Sequence, residues 1–407
     1  MNFNDLSKRS LDELMNQLYK KEFKLETADN AAKIVHETSH YFDNLATLSG
    51  QNLLVKTYDA LSELIPPSSK EYFPFIEDFF DTFHSWNMRD FTEIRDVYTQ
   101  PIIENWSFRW EFQNHVDISD NELSFSSMSA NFKYLDNTVA KIPFSMEALW
   151  ETNAMWAETM YRIYAVTLSK NDDAKVVEAH RIQQNYQDYV YNPQLLVYSI
   201  AAHFVSSFLQ TGDYIRTFMI SKALTSIALN LPFEYYDKIK KPSGYIFSGT
   251  TGEFLENKKS IDPCMIYLVL LENIYESRAD IIEDGLFVDF EKVLEINDLP
   301  NIEKLNAEIL KEMQKVKLVQ KSAAFQEAFD SQMENGISIF KRYGIEGGVN
   351  IMPAFLVKIA NESLSCVFQE DMEETDAYLK YDLGKNLEKL MTKILKVSKD
   401  SSNTIKN

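Results

Sequence analysis

Over most of the chain apolar side chains recur every three to four residues, the period of a helix with one buried face. Between Thr27 and Leu48 the stripe is Ala32, Val35, Ser39, Phe42 and Ala46. Thr27 or Asp29 can cap its start, and Gly50 stands where helices often close on a left-handed residue. Helices are also expected over SLDELMNQLYKKE (10–22) and LLVKTYDALSELI (53–65), the latter stopped by Pro66-Pro67. The aromatic, acidic stretch 70–96 is expected to be helical with an interruption at Pro74.

The period then changes. WSFRWEFQNHVDI (106–118) and ELSFSSMSANFKYLD (122–136) alternate apolar with polar side chains, the strand period, and Asp120-Asn121 can turn a hairpin between them. After Pro143 helical spacing returns. Residues 145–168 read as one helix capped by Ser145, 192–232 as two, and 262–285 as one bounded by Pro263 and Gly285. SGYIFSGTTGEFLE (243–256) reads as a loop or short hairpin. From about 300 the chain is helical and charged, with a break at YGIEGGVNIMP and a disordered tail, SKDSSNTIKN. The expectation is a mainly α protein with a small antiparallel β-sheet (α+β). Residues 1–26 form an N-terminal helical arm, 27–290 a core with the sheet near 106–136, and 291–407 a C-terminal helical region.

Composition sharpens this picture. Eleven glycines against 27 Phe and 21 Tyr fit long helices with few tight turns. The net charge of −20, from 41 Lys+Arg and 61 Asp+Glu, repels nucleic acid and anionic lipid. The densest basic cluster, KIKKPS at 238–243, is too short to reverse that, so neither partner is expected. Cys264 and Cys366 lack metal-ligand spacing and are read as buried, reduced thiols. The N-terminus has no apolar core of signal-peptide length, and apolar runs are far below the ~20 residues that span a bilayer. A soluble, cytoplasmic protein is expected.

The candidate chemistry lies in AAKIVHETSHYFDNLATLSG. His36 and His40 stand four apart, so on a helix their imidazoles lie one above the other and can grip one metal ion. Zinc takes nitrogen and oxygen ligands tetrahedrally, and a catalytic site keeps one position for water. Glu37 then projects beside the ion, placed to take a proton from that water.

This string resembles the H-E-x-x-H helix of the zincin metallopeptidases. HETSHYFDN is also similar to the neprilysin-type peptidases, which carry an aspartate three residues after the second histidine, as Asp43 does. It is similar, too, to bacterial proteins with such a helix ending in glycine and a later E-x-x-A helix. The resemblance implies His36 and His40 as Zn2+ ligands, Glu37 as general base and Asp43 as an outer carboxylate. It also implies a zincin-like helical metallopeptidase core with large helical insertions.

A catalytic zinc needs a third protein ligand. Two E-x-x-A segments offer one. Glu151 in ALWETNAMWAE interrupts an apolar stretch and has Glu158 two turns on; a carboxylate there would be buried and need a cation. Glu276 in ENIYESRADIIED is the alternative, with Asp280 one turn on as in the gluzincins, where an aspartate orients a zinc histidine. ENIYE also resembles the neprilysin-type E-N-x-x-D, which would move the ligand to Glu272. Glu151 is favoured for its more apolar flanks. His203, on an apolar helix, is a candidate oxyanion donor, although a core histidine is the simpler reading.

The expected function is a zinc metallopeptidase acting on peptide or protein substrates. The alternative is a non-catalytic helical interaction or regulatory protein with a structural metal or none.

Overall fold

The computed structural model describes residues 25–63, 86, 88, 92–95, 112–119, 122–134, 136–169, 172–244, 263–283, 287–319 and 323–347. The expected helix 10–22, most of 70–96, residues 106–111, most of loop 243–256, Cys366 and the tail lie outside them. The fold is mainly α with a small antiparallel sheet.

Two helices open the described chain, α1 (Ala28–Leu45) and α2 (Leu48–Glu63). A sheet follows: β1 (Glu93–Ile94), β2 (Phe112–Ser119), β3 (Glu122–Tyr134) and β4 (Asn137–Phe144), ordered β1-β4-β3-β2 with antiparallel pairs. Next come α3 (Met146–Leu168), α4 (Asp172–Val190), a 3-10 segment (Pro193–Tyr198), α5 (Ile200–Leu209), α6 (Tyr214–Asn230) and α7 (Pro263–Ser277). A two-stranded ribbon, β5 (Ile282–Glu283) with β6 (Phe287–Val288), leads to α8 (Phe290–Ile296), α9 (Ile302–Lys315) and α10 (Ala323–Tyr343).

The two strands of the expected hairpin are present as β2 and β3, paired antiparallel with Ser119 opposite Glu122; the expected turn at 120–121 lies outside the described residues. Strand β4 was not foreseen. Its Val139, Ala140, Ile142 and Phe144 are all buried, so no alternation marks it, and Pro143 argues against a strand. Pro143 is tolerated because β1 pairs only with Ala140 and Lys141, leaving that end of β4 without a second neighbour among the described residues. Ser145 caps α3 as expected, its hydroxyl accepting from the Ala148 amide at 3.3 Å.

Two helix ends depart from expectation. Gly50 lies inside α2 and does not close α1. The chain bends at Ala46–Thr47, and the Thr47 hydroxyl accepts from the Gly50 amide at 3.0 Å, starting the new helix. A side chain at Gly50 would collide with the Asp43 and Asn44 carbonyls, so close approach selects glycine there. Helix α7 ends at Ser277, eight residues before Gly285, closed by Arg278 at φ 53°. Asp280 therefore falls beyond the helix.

One large core joins the sheet to α3, α5, α6 and α7, and side chains from residue 290 onward (Phe290, Val293, Leu305, Ile309, Phe340) enter it. A second cluster joins α1 and α3, with alanines on both helices (Ala28, Ala31 and Ala32; Ala157 and Ala165) among larger side chains such as Val35, Phe42 and Tyr161. Cys264 is a buried free thiol. Among the described residues no helix is long and apolar enough to cross a membrane.

Gly336, mid-helix in α10, seats against the Leu45 carbonyl at the end of α1, the same oxygen that accepts from Gln51 Nε2 at 2.9 Å. A methyl group would occupy that contact. Gly336→Ala, which on an exposed helix would stabilise, is expected here to destabilise by about 1–3 kcal/mol. Chemical denaturation checks this, and unchanged or raised stability would show that α10 does not press on α1.

Candidate metal centre

The alanine-lined crossing lets α1 and α3 approach closely enough for their polar side chains to meet. His36 and His40 point from α1 toward Glu151 on α3. The Glu151 Oε2 lies 3.3 Å from His36 Nε2 and 3.4 Å from His40 Nε2. The two imidazoles meet edge to face, with centroids 5.0 Å apart and planes at 82°. His36, His40 and Glu151 offer ligand atoms within 4.8 Å of one another, a group that could hold a metal ion. All three are half-buried.

The contacts are ionic and poorly aligned as hydrogen bonds. Glu151 Oε2 and His36 Nδ1 are buried without a partner in hydrogen-bond geometry. A buried carboxylate oxygen left so, with two imidazole nitrogens converging on it, is a place where a cation satisfies what the chain does not. Two nitrogens and one oxygen are donors that zinc accepts. Glu37 on α1 is exposed and the His40 side chain is 25% exposed, so water can reach the group. The residues fit a metal ion.

Glu158, two turns along α3, stands 3.1 Å from His36 Nδ1, the nitrogen facing away from Glu151. That carboxylate favours a proton on Nδ1 and leaves Nε2 free to bind. Arg162 NH2 donates to Glu158 at 2.6 Å, Arg162 reaches Asp29 at 3.4 Å, and Arg181 donates to Asp29 at 2.9 Å. Burial alone would lower the His36 pKa, but the carboxylates of Glu151 and Glu158 outweigh it and carry it up to about 9. Burial would likewise raise Glu151, yet His36 and His40 hold it near 2. Without metal the centre is thus an imidazolium between carboxylates.

Asp43, expected as an outer carboxylate, is buried deeper. Its Oδ2 accepts from Asn153 Nδ2 at 3.2 Å and its Oδ1 lies 3.6 Å from Lys222 Nζ on α6. Burial pushes the Asp43 carboxyl up and the Lys222 ammonium down, each opposed by the other's charge. This node ties α1, which carries the histidines, to α3, which carries Glu151, two residues before Asn153. Asp43 therefore sets helix register and acts on the site through position.

The alternative carboxylates are elsewhere. Glu276 accepts from the Ser243 hydroxyl at 3.0 Å, and the group that could hold a metal does not include it. Asp280 is exposed in the turn after α7 and pairs with Arg216 at 2.8 Å, so it orients no histidine. Glu272 is buried within α7. His203 is not an oxyanion donor: its Nε2 engages the Val190 carbonyl at 3.0 Å and burial pulls its pKa to about 4, a neutral core histidine.

The structure adds Glu158, Lys222 and two tyrosines to the surroundings of this group. Lys222 stands alone in FMISKALTSIALN, and a lone cation in a buried helix calls for a buried anion. The Tyr198 ring lies 6.2 Å from His36 and 5.6 Å from Tyr189. Burial and the nearby Glu158 carboxylate keep the Tyr189 phenol protonated. No sequence signal separates these two from the chain's other tyrosines.

No family model, curated protein or solved structure matches the chain, so its chemistry rests on these residues.

A group whose folded pKa is raised stabilises fully below its unfolded value and loses that contribution as pH passes the folded one. For His36 in metal-free protein the window runs from 6.5 to about 9. The melting temperature, relative to a His36→Gln variant, is expected to fall across that window by a few degrees. A pH-independent difference would mean that His36 carries no bound proton there.

Proposed function

We propose that this protein is a zinc-dependent peptide hydrolase of the H-E-x-x-H type, resembling the zincins at its active-site helix. What supports the reading most is the convergence of His36 Nε2 and His40 Nε2 on Glu151 Oε2, an oxygen without a partner in hydrogen-bond geometry. These three side chains would hold the ion. Bound there, zinc would polarise a peptide carbonyl and acidify the attacking water.

The chain's own groups divide the remaining work. Glu37, exposed beside the histidines on α1, would accept the proton of the attacking water and return it to the departing amine. Glu158 would fix the ring of His36, and Arg162 would fix Glu158. Tyr198, on the 3-10 segment with its ring 6.2 Å from that of His36, would be the candidate hydroxyl donor to the developing oxyanion. The acidic surface would favour neutral or basic peptides.

A helical interaction protein without catalysis is the other reading. It is favoured by one observation: charge at the centre is already balanced in part by imidazolium–carboxylate pairs. Elemental analysis separates the two. Stoichiometric zinc, with a melting temperature lowered by chelation, is required for hydrolysis but would also accompany a structural metal, which casein turnover then tells apart; no zinc and no shift support the alternative.

Glu37→Gln is expected to keep bound zinc and lose casein hydrolysis by roughly 10²–10⁴-fold. Glu151→Gln should empty the site, while Glu276→Gln should leave it filled. Full turnover in Glu37→Gln, or zinc lost on changing Glu276, overturns the assignment.

A further inference from the structure

A cavity of about 930 Å³ opens where the C-terminal ends of α5 and α7 meet the loop before Ser243. The metal centre uses none of its residues. Three cations line it, Arg216, Lys240 and Arg278, with two carboxylates, Glu276 and Asp280. Both carboxylates are engaged, Asp280 by Arg216 at 2.8 Å and Glu276 by the Ser243 hydroxyl at 3.0 Å. Lys240 and Arg278 have no acidic partner among the described residues. Three cations against two carboxylates leave a local excess of positive charge, in a chain whose net charge is −20.

The wall is built, not loose. Asn273, fully buried on α7, donates to the Lys240 carbonyl at 2.8 Å, and the Lys240 amide donates to the Asn297 carbonyl at 3.0 Å. The backbone of Lys240, in the basic cluster KIKKPS, is thereby held at the cavity wall. Gln210 and Arg278 both line the cavity with left-handed backbone, φ 51° and 53°. Glycine would close either helix without the steric penalty, so a side chain at 278 is present despite the backbone's preference. Phe208 and Tyr275, edge to face at 5.7 Å, supply an apolar flank.

We infer that this cavity binds a small organic oxyanion, a carboxylate or phosphate group on an aromatic or aliphatic body. Lys240 and Arg278 take the oxyanion through charge-assisted hydrogen bonds, while Arg216 stays paired with Asp280 beside them. Phe208 and Tyr275 pack on the body. A cavity of this size holds a ligand of metabolite dimensions. The site is independent of the proposed hydrolysis.

Calorimetric titration of the full chain with phenyl phosphate and with phenylacetate tests it. Saturable binding of at least one probe is expected, weakening with added salt and at least ~10-fold poorer in Lys240→Gln and Arg278→Gly. Arg278→Gly removes a left-handed side chain, so its melting temperature should hold or rise and lost binding cannot be misfolding. The probe that binds tells phosphate from carboxylate. Absence of saturation by either probe below about 10 mM, or both variants binding like the wild type, overturns the inference.

Discussion

The approach of α1 to α3 is the constraint on which the site depends. Alanines at the crossing bring two helix backbones close, and only then can Glu151 Oε2 stand within 3.4 Å of both imidazole nitrogens. A slip of one residue along either helix would swing these side chains by about 100° and disperse them. The buried Asn153–Asp43–Lys222 node resists that slip. It places a hydrogen bond and an ion pair at one depth, which apolar packing alone would leave free to slide.

Around that crossing the packing is tight in specific ways. Gly50 admits the α1 carbonyls at the start of α2, and Gly336 admits the Leu45 carbonyl to α10, so the end of α1 is held from two sides. On its other flank, charges alternate outward from His36 through Glu158, Arg162, Asp29 and Arg181. The inner members are largely shielded from water and hold geometry; Asp29 and Arg181, more exposed and screened, contribute less. The carboxylate facing Nδ1 of His36 is therefore itself positioned, which a ring on a bare helix would lack.

Much of this was legible in the sequence. The stripe Ala32, Val35, Ser39, Phe42 and Ala46 is buried throughout, Ser145 caps its helix, and β2 and β3 pair antiparallel up to Ser119 and Glu122. Of the two E-x-x-A segments, apolar flanks pointed to Glu151, the residue that meets the histidines. What was hidden depends on tertiary contact. Strand β4 is buried on successive residues and shows no period. Gly50 reads as a helix stop, yet its role is close approach to carbonyls of the preceding helix. Asp280 reads as one turn past Glu276 only if the helix continues, and Arg278 ends it. Lys222 carried a signal in its isolation among apolar neighbours, but its partner lay 179 positions upstream, at Asp43.

X-ray absorption at the zinc edge of the zinc-loaded chain tests the central claim most directly. A first shell of about four nitrogen and oxygen atoms near ~2.0–2.2 Å, with multiple scattering from two imidazoles, is expected. Loss of the two-imidazole signature in His40→Ala should leave a single ring. A shell without histidine, or one containing sulfur, would contradict the proposal that His36, His40 and Glu151 hold the ion.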